Sequence, residues 1–178
     1  MEEEVNNVIV LNLGCGGSKR SDEIGIDIQK TQATDVVCNL DACPLPFADN
    51  SVDVIRSNHC FEHISDLVGL INEVHRMLKP DGVLEVTVPH VSNIDFWRDP
   101  THKTAFTFRT FDYFVRGLKP VSYTDAEFEY LEKEMRFGKG LRGKVGKLLF
   151  KLSPRRYEKY HTWKYPCYEL HVKLKALK

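Results

Sequence analysis

Apolar positions in the first ninety residues come in short runs closed by turn residues. Val8–Leu13 reads as a buried strand ended by Gly14, and Glu23–Ile28 and Asp35–Leu40 read as two more. Ser51–Ser57 follows the turn chemistry of Ala48-Asp49-Asn50 and predicts a fourth strand, while Val83–Val88, stopped by Pro89, predicts a fifth. Between those two, Ile64, Leu67, Val68, Ile71, Val74 and Leu78 recur at helical spacing. Ser65 and Asp66 stand near that helix's start, and Pro80 in the turn Pro80-Asp81-Gly82 lies past its end. Strands joined by non-hairpin connections, with a helix between the last two, predict a mostly parallel α/β sheet. Only residues 15–22 and 29–34 link the first three strands. A parallel crossover ordinarily uses a dozen or more. The early helices must therefore shrink to turns, leaving one sheet face thinly covered, open to later segments or to a partner subunit.

After residue 90 the pattern changes. Phe96, Trp97, Phe106, Phe108, Phe111, Tyr113 and Phe114 form an aromatic stretch that reads as core or cap packing, and Thr110 predicts a short helix through Arg116. Phe128–Phe137 is a further element. Tyr168–Leu174 alternates cleanly and reads as a strand at a sheet edge. Between them Leu141, Val145, Leu148, Leu149 and Leu152 share one helical face, with Arg142, Lys144, Lys147 and Lys151 largely on the others.

At 178 residues the chain suits a single domain, with no apolar run of the ~18 residues a membrane span needs. The acidic start lacks an export signal pattern, and the five cysteines include no CxxC pair, so reduced thiols in a cytoplasm are expected. The net charge of zero hides a split. Residues 1–100 hold 7 Lys/Arg against 17 Asp/Glu, residues 101–178 hold 18 against 8, and segment 136–159 has nine basic residues and one acid, Glu158. Such a segment suits an anionic partner: nucleic acid through 139–159, or peripheral contact with a membrane surface.

The strongest local motif is Asn12-Leu13-Gly14-Cys15-Gly16-Gly17 directly after a strand, where glycines allow a sharp turn and close approach of a ligand. Asp27, ending the second strand, can accept both hydroxyls of a ribose. The pattern is not a dinucleotide fingerprint, because position 19 is Lys and no crossover helix offers its N-terminus to a pyrophosphate. His59-Cys60-Phe61-Glu62-His63 has the spacing of some zinc proteases, but it joins a strand to a helix, and no metal is expected there.

In order along the chain, LNLGCGG, GIDI, DACPLPFADNSVDVIRSNHCFEHI and EVHRMLKPDGVLEVTVPH resemble the successive motifs of class I S-adenosylmethionine-dependent methyltransferases, in particular the small type 11-like group. The resemblance covers about residues 8–90, with a less specific likeness in DPTHKTAFTFRTFDYF and the last strand. It implies a Rossmann-like fold: a mostly parallel seven-stranded sheet with one antiparallel strand, in a single domain over 1–178. Residues 8–90 would be the cofactor-binding core, and 91–178 an acceptor-side cap and C-terminal hairpin carrying the basic insertion. It also implies S-adenosyl-L-methionine as cofactor. Leu13, Gly14, Cys15 and Gly16 would meet its methionine part, Asp27 the ribose and Ile28 the adenine. Asp41 and Ala42 would meet the adenine amino edge, and Asn58 and His59 the methyl end. Two positions depart from the family: Asn12 stands where it has an acid, and Ser18 where it has a third glycine. His90, after the fifth strand, and His102 could each act as the base, since histidine titrates near neutrality. The implied activity is methyl transfer to an oxygen or nitrogen of a small-molecule or glycan- or lipid-linked acceptor. An RNA methyltransferase and a non-catalytic cofactor-binding subunit remain as alternatives, and the thin sheet face would suit a homodimer.

Overall fold

Seven strands make one sheet: β1 (Val10–Leu13), β2 (Glu23–Asp27), β3 (Val36–Val37), β4 (Val52–Asn58), β5 (Leu78–Pro89), β6 (Glu127–Phe137) and β7 (Cys167–Leu177). The computed structural model describes residues 8–178; residues 1–7, the acidic start discussed above, lie outside the described residues. The strand order is β3-β2-β1-β4-β5-β7-β6. All pairs from β3 to β5 are parallel, and β7 alone runs antiparallel, to both β5 and β6. This is the expected Rossmann-like arrangement. The chain moves outward from β1 to β3, then crosses back to β4, so the sheet's switch point lies between β1 and β4. A crevice outside the carboxyl ends of parallel strands opens at such a point.

One face of the sheet is apolar. Leu11, Leu13, Ile55, Leu84 and Val86 point to it and are fully buried. Helix α1 (Leu67–Met77) packs Leu70, Ile71, Val74 and Met77 into the same core, and Asp66 caps it by accepting the Gly69 N–H at 2.8 Å. The helix starts three residues later than its apolar spacing suggests, because Phe61–His63 forms a separate 3-10 turn. The aromatic stretch folds into this core, with Phe106 and Phe111 stacked at 5.5 Å. Short α2 (Ile94–Arg98) precedes it, and the 3-10 turn Thr110–Phe114 stands where a short helix is expected.

The other face is polar. Segments 14–22 and 28–35 contain no helix, as their shortness dictates. Strand register aligns Asn12, Arg56, Glu85, Lys173 and Glu132 in one row across β1, β4, β5, β7 and β6. Charges alternate along it. Arg56 reaches Glu85 at 3.4 Å and Glu23 of β2 at 3.0 Å, while Lys173 reaches Glu85 at 3.9 Å and Glu132 at 3.5 Å. Opposite charges across adjacent strands stabilise a sheet, and here they replace the covering helices that parallel sheets ordinarily bury against. The row also corrects the reading of the last strand. β7 lies inside the sheet between β5 and β6, and its alternation reflects a wet face rather than an edge.

Glu23 anchors the row's end with a side chain only 3% exposed. Burial works against its charge, but hydrogen bonds from the Arg20 N–H, the Asn12 amide at 2.9 Å and Arg56 outweigh it. The carboxyl is held below its usual range. Asn12 thus donates where a carboxylate would repel. Asn12→Asp should destabilise the fold by about 1–3 kcal/mol at pH 7, the cost of a buried acceptor left facing a like charge. The new pair must share a proton, so one carboxyl has a raised pKa in the fold. The deficit is therefore full above that raised pKa, fades as pH falls from it toward the unfolded carboxylate value, and is gone below that value. Thermal unfolding at pH 7 and pH 4 checks both parts; equal deficits at the two values would refute the pairing.

Candidate functional site

The loop after β1 is set by two left-handed residues, Gly14 at φ 71° and Gly16 at φ 54°. A side chain at Gly14 would collide with Cys60, which turns back over it from the end of β4. The Gly14 and Cys15 amides both donate to the Ile26 carbonyl, at 2.8 and 3.1 Å, tying the loop to β2. The Gly16 amide then donates to Asp27 Oδ2 at 2.9 Å, and the Gln29 amide to Asp27 Oδ1 at 2.9 Å. Thr31 closes the arrangement by donating its hydroxyl to the Gly16 carbonyl at 2.6 Å.

A cavity of about 660 Å³ opens on this loop, a size usual for small-molecule sites. Gly14, Gly16, Asp27, Ile28, Asp41 and His59 all line it, joined by His63, Thr101 and Lys103 from the segments beyond. Ile28 is 63% exposed on its wall, an apolar side chain left uncovered beside an acid. Asp41 is held by the Ser65 amide at 2.8 Å, the Asp66 amide at 3.3 Å and Lys103 Nζ at 3.2 Å. Burial pushes its carboxyl up, but these donors prevail and hold it below the ordinary range.

Other expected contacts are distributed differently. Leu13 is wholly buried and offers the site only its backbone, whose carbonyl already accepts the Ser57 hydroxyl. Cys15 is buried and lines the polar cavity described next. Ala42 is not among the lining residues of the 660 Å³ cavity. Asn58 and His59 part company because His59 adopts a left-handed φ of 52°. Asn58 faces a separate polar cavity of about 600 Å³ over the wet sheet face, lined also by Asn12, Arg56, Arg136 and His171. His90 is buried at the foot of the cap, with Nδ1 2.8 Å from the Ser92 hydroxyl and Nε2 3.7 Å from Glu158. It lines neither of these two cavities.

His102 sits in a denser cluster. Its Nδ1 lies 2.7 Å from the Phe96 carbonyl, which can only accept, so the neutral ring carries its proton there and keeps a lone pair on Nε2. That nitrogen is 4.0 Å from Glu62 and 3.9 Å from Asp99. Glu62 is 1% exposed, and its Oε2 has no hydrogen-bond partner among the described residues. His59 bridges the cluster to the sheet, with Nδ1 3.3 Å from Glu62 and Nε2 3.2 Å from Glu169. The Glu62 hydrogen bond raises the His59 pKa above its ordinary value against the pull of burial, and Glu169 adds to it. Burial pushes the neighbouring Cys60 thiol up to about 12, leaving it without nucleophilic character at neutral pH. Sequence reading set the H-x-x-E-H stretch aside as a connection. Yet Glu62, His63 and His102 bring one ligand atom each within 4.8 Å of one another, a set that could accept a cation. The spacing of Glu62 and His63 was visible, but the third member, 39 residues on, is brought in only by the cap.

Comparison with known proteins bears on residues 11–86, which match the family of methyltransferase domains described as Methyltransf_11. The malonyl-(acyl-carrier protein) O-methyltransferase 1 of Coxiella burnetii is 58% identical over 40 residues, 22% of this chain and 14% of that protein. The mitochondrial arginine-hydroxylase NDUFAF5 of Danio rerio is 28% identical over 92 residues, 42% of this chain and 29% of that protein. The chain thus covers under a third of either relative. YcgJ of Bacillus subtilis, an uncharacterized methyltransferase, is 35% identical over 71 residues, 33% of this chain and 27% of that protein. Its crystal structure superposes with a TM-score of 0.60 at 16% identity over 96% of this chain and 92% of that one, a likeness of fold. The motif-bearing strands, the glycine loop and the sheet order agree: residues 11–86 match the methyltransferase-domain family, in a chain whose Rossmann-like fold is shared with solved methyltransferases.

Proposed function

We propose that the protein is an S-adenosylmethionine-dependent methyltransferase whose cofactor occupies the cavity beside Gly14 and Gly16. The observation that carries this is the pairing of Asp27 with exposed Ile28 on the wall of that cavity, locked to the glycine loop through the Gly16 amide. The residues fit the group. Each Asp27 oxygen accepts one backbone N–H, and a carboxylate has about four lone-pair sites, so two remain for a pair of ribose hydroxyls. Ile28 offers an uncovered apolar surface for a planar base. Asp41 and the backbone of Leu13 and Cys15 complete the binding set proposed here.

When bound, the cofactor supplies a methyl group already activated by its sulfonium. The chain's own task is to align the acceptor and take its proton. His102 Nε2 is the group we assign to the proton: the ring is not itself in the cavity lining, but it is set behind the lining residues His63, Thr101 and Lys103. Its ring is fixed by Phe96, its lone pair is free, and Glu62 and Asp99 stand ready to balance the charge it gains. His59, held between Glu62 and Glu169, keeps the buried Glu62 charge compensated. The acceptor is an oxygen or nitrogen nucleophile that enters past His63 and Thr101.

Ligand at about 100 times its dissociation constant adds roughly 2.7 kcal/mol, a rise on the order of 5–10 °C in the midpoint for a domain of this size. S-adenosylmethionine should give that rise and NAD none; Asp27→Ala and Gly14→Ala should each abolish it. No rise at millimolar cofactor would overturn the reading. His102→Gln should keep the cofactor-induced rise while lowering methyl transfer by about 10²–10⁴-fold, the usual contribution of a positioned base. Equal turnover by wild type and variant would remove His102 from the mechanism.

His59 gives a pH signature. Its pKa is raised in the fold, so the stability it contributes is complete below the unfolded value of about 6.5 and is lost as pH rises through the folded value. Wild type should therefore lose more of its midpoint than His59→Gln between pH 6 and pH 9. Parallel curves for the two proteins would show that the His59–Glu62–Glu169 bridge contributes nothing.

A further inference from the structure

The connection from β6 to β7 holds two helices, α3 (Leu141–Leu152) and α4 (Pro154–Tyr160). Two glycines inside α3 would cost about 1 kcal/mol each relative to alanine, and their placement shows what they do. Gly143 and Gly146 are the buried residues of the helix. A side chain at Gly143 would strike the Gly138 backbone, and one at Gly146 would meet the Tyr165 carbonyl and the Phe137 ring. The glycine side is therefore pressed against the body of the protein, next to Phe150, which packs on Phe137 and Tyr157. At about 100° per residue, Leu141, Leu148 and Leu152 fall together on the opposite side. They are 79%, 58% and 74% exposed. Tyr160 and Trp163, just beyond, are exposed as well.

Cations surround this stripe. Among the described residues, Lys139, Arg142, Lys144, Lys147, Lys151, Arg155, Arg156 and Lys159 form no ion pair; the segment's one acid, Glu158, turns inward to accept the Phe108 N–H at 2.6 Å. We propose that α3 and α4 form a docking surface for an anionic lipid bilayer. Leucines lie in the acyl boundary, tryptophan and tyrosine at the headgroup level, and lysines and arginines face the lipid phosphates. No described helix is long and apolar enough to cross a membrane, so the contact is peripheral. A second copy of the chain is a poor occupant, because eight uncompensated cations would meet their own kind. Nucleic acid would satisfy the cations but leave three leucines in water.

The surface also bears on the acceptor, and this part rests on the methyltransferase reading. The two helices leave the sheet where Phe137 pairs with Cys167, beside Glu169, which pairs with Pro89 at the carboxyl end of β5 and contacts His59 of the cofactor-side cavity. An amphiphilic acceptor could stay seated in the bilayer by its lipid end while its polar head reaches that cavity.

Sedimentation of the full chain with vesicles, without cofactor, tests the docking. Phosphatidylcholine vesicles containing phosphatidylglycerol should bind the protein, and pure phosphatidylcholine vesicles should bind it at least tenfold more weakly. The triple variant Leu141→Ser, Leu148→Ser, Leu152→Ser keeps every cation and should bind the anionic vesicles at least about 100-fold more weakly, from the lost burial of three leucines. A cofactor-induced midpoint rise equal to wild type would show that the variant is folded. Absence of binding to anionic vesicles, or a triple variant that binds like wild type, overturns the proposal. Salt-sensitive binding of a single-stranded RNA unaffected by the leucine changes, with no vesicle binding, would assign the surface to nucleic acid instead. Vesicle binding without any cofactor-induced rise would leave the docking surface standing and remove the methyltransferase reading.

Discussion

Strand connections too short for helices govern this structure. A parallel sheet normally buries both faces because each crossover lays a helix across it. Here segments 14–22 and 28–35 return along the sheet without one, and the face they leave bare is closed by charge. The row Asn12, Arg56, Glu85, Lys173, Glu132 crosses five strands with alternating sign, and Glu23 is drawn in at its end. Each member is partly solvated except Glu23, so most single pairs in the row contribute little by themselves. Glu23 is different. Its near-complete burial makes the Asn12 and Arg56 donors obligatory, and that accounts for an amide at a position where the family places an acid.

The same shortness shapes the glycine-loop site. A dinucleotide fold holds a pyrophosphate at the N-terminus of the helix that follows the glycine loop. This loop has no helix behind it. It is braced instead by Ile26, Asp27 and Thr31, so the Gly14, Cys15 and Gly16 amides are already occupied and a carboxylate stands beside them. Such a loop repels phosphate and accommodates hydroxyls and a cationic sulfonium. The short crossovers thus leave the loop no helix N-terminus for a pyrophosphate while keeping the Asp27 carboxylate for hydroxyls.

Much of this was legible in the residues. Val10–Leu13, Glu23–Asp27 and Val52–Asn58 follow from their apolar runs, and the Gly14 turn and Asp27 from strand-end chemistry. The misreadings have physical causes. Asp35–Leu40 keeps only Val36 and Val37 in a strand, because the chain must turn at once to reach Asn39 and Asp41 on the cavity wall. Tyr168–Leu174 resembled an edge strand since period-two alternation reports a wet face and cannot say which neighbours flank it. His90 and His102 looked equivalent in sequence. The fold buries the first against Ser92 and Glu158, the latter 68 residues on, and leaves the second with a lone pair on Nε2, a difference that sequence spacing does not reveal. Asn58 and His59 were separated by one left-handed residue, a backbone choice that no side-chain pattern signals.

The glycines of α3 show how local cost is converted into surface chemistry. Periodicity placed Leu141, Leu148 and Leu152 on a common face, and a helix lying on a domain would turn that face inward. Gly143 and Gly146 reverse it. Only a side without Cβ atoms can approach the Gly138 backbone and the Tyr165 carbonyl so closely, and once that side is chosen, helical geometry carries the leucines outward. Helix propensity and solvent exposure of leucine both count against this arrangement in water. A soluble scaffold gains nothing from it, whereas a surface that works at an apolar boundary recovers the leucine exposure when it docks. The wet sheet and the exposed leucines are thus opposite departures from ordinary burial. The first is settled within the chain by the charge row, and the second is left for a partner outside it.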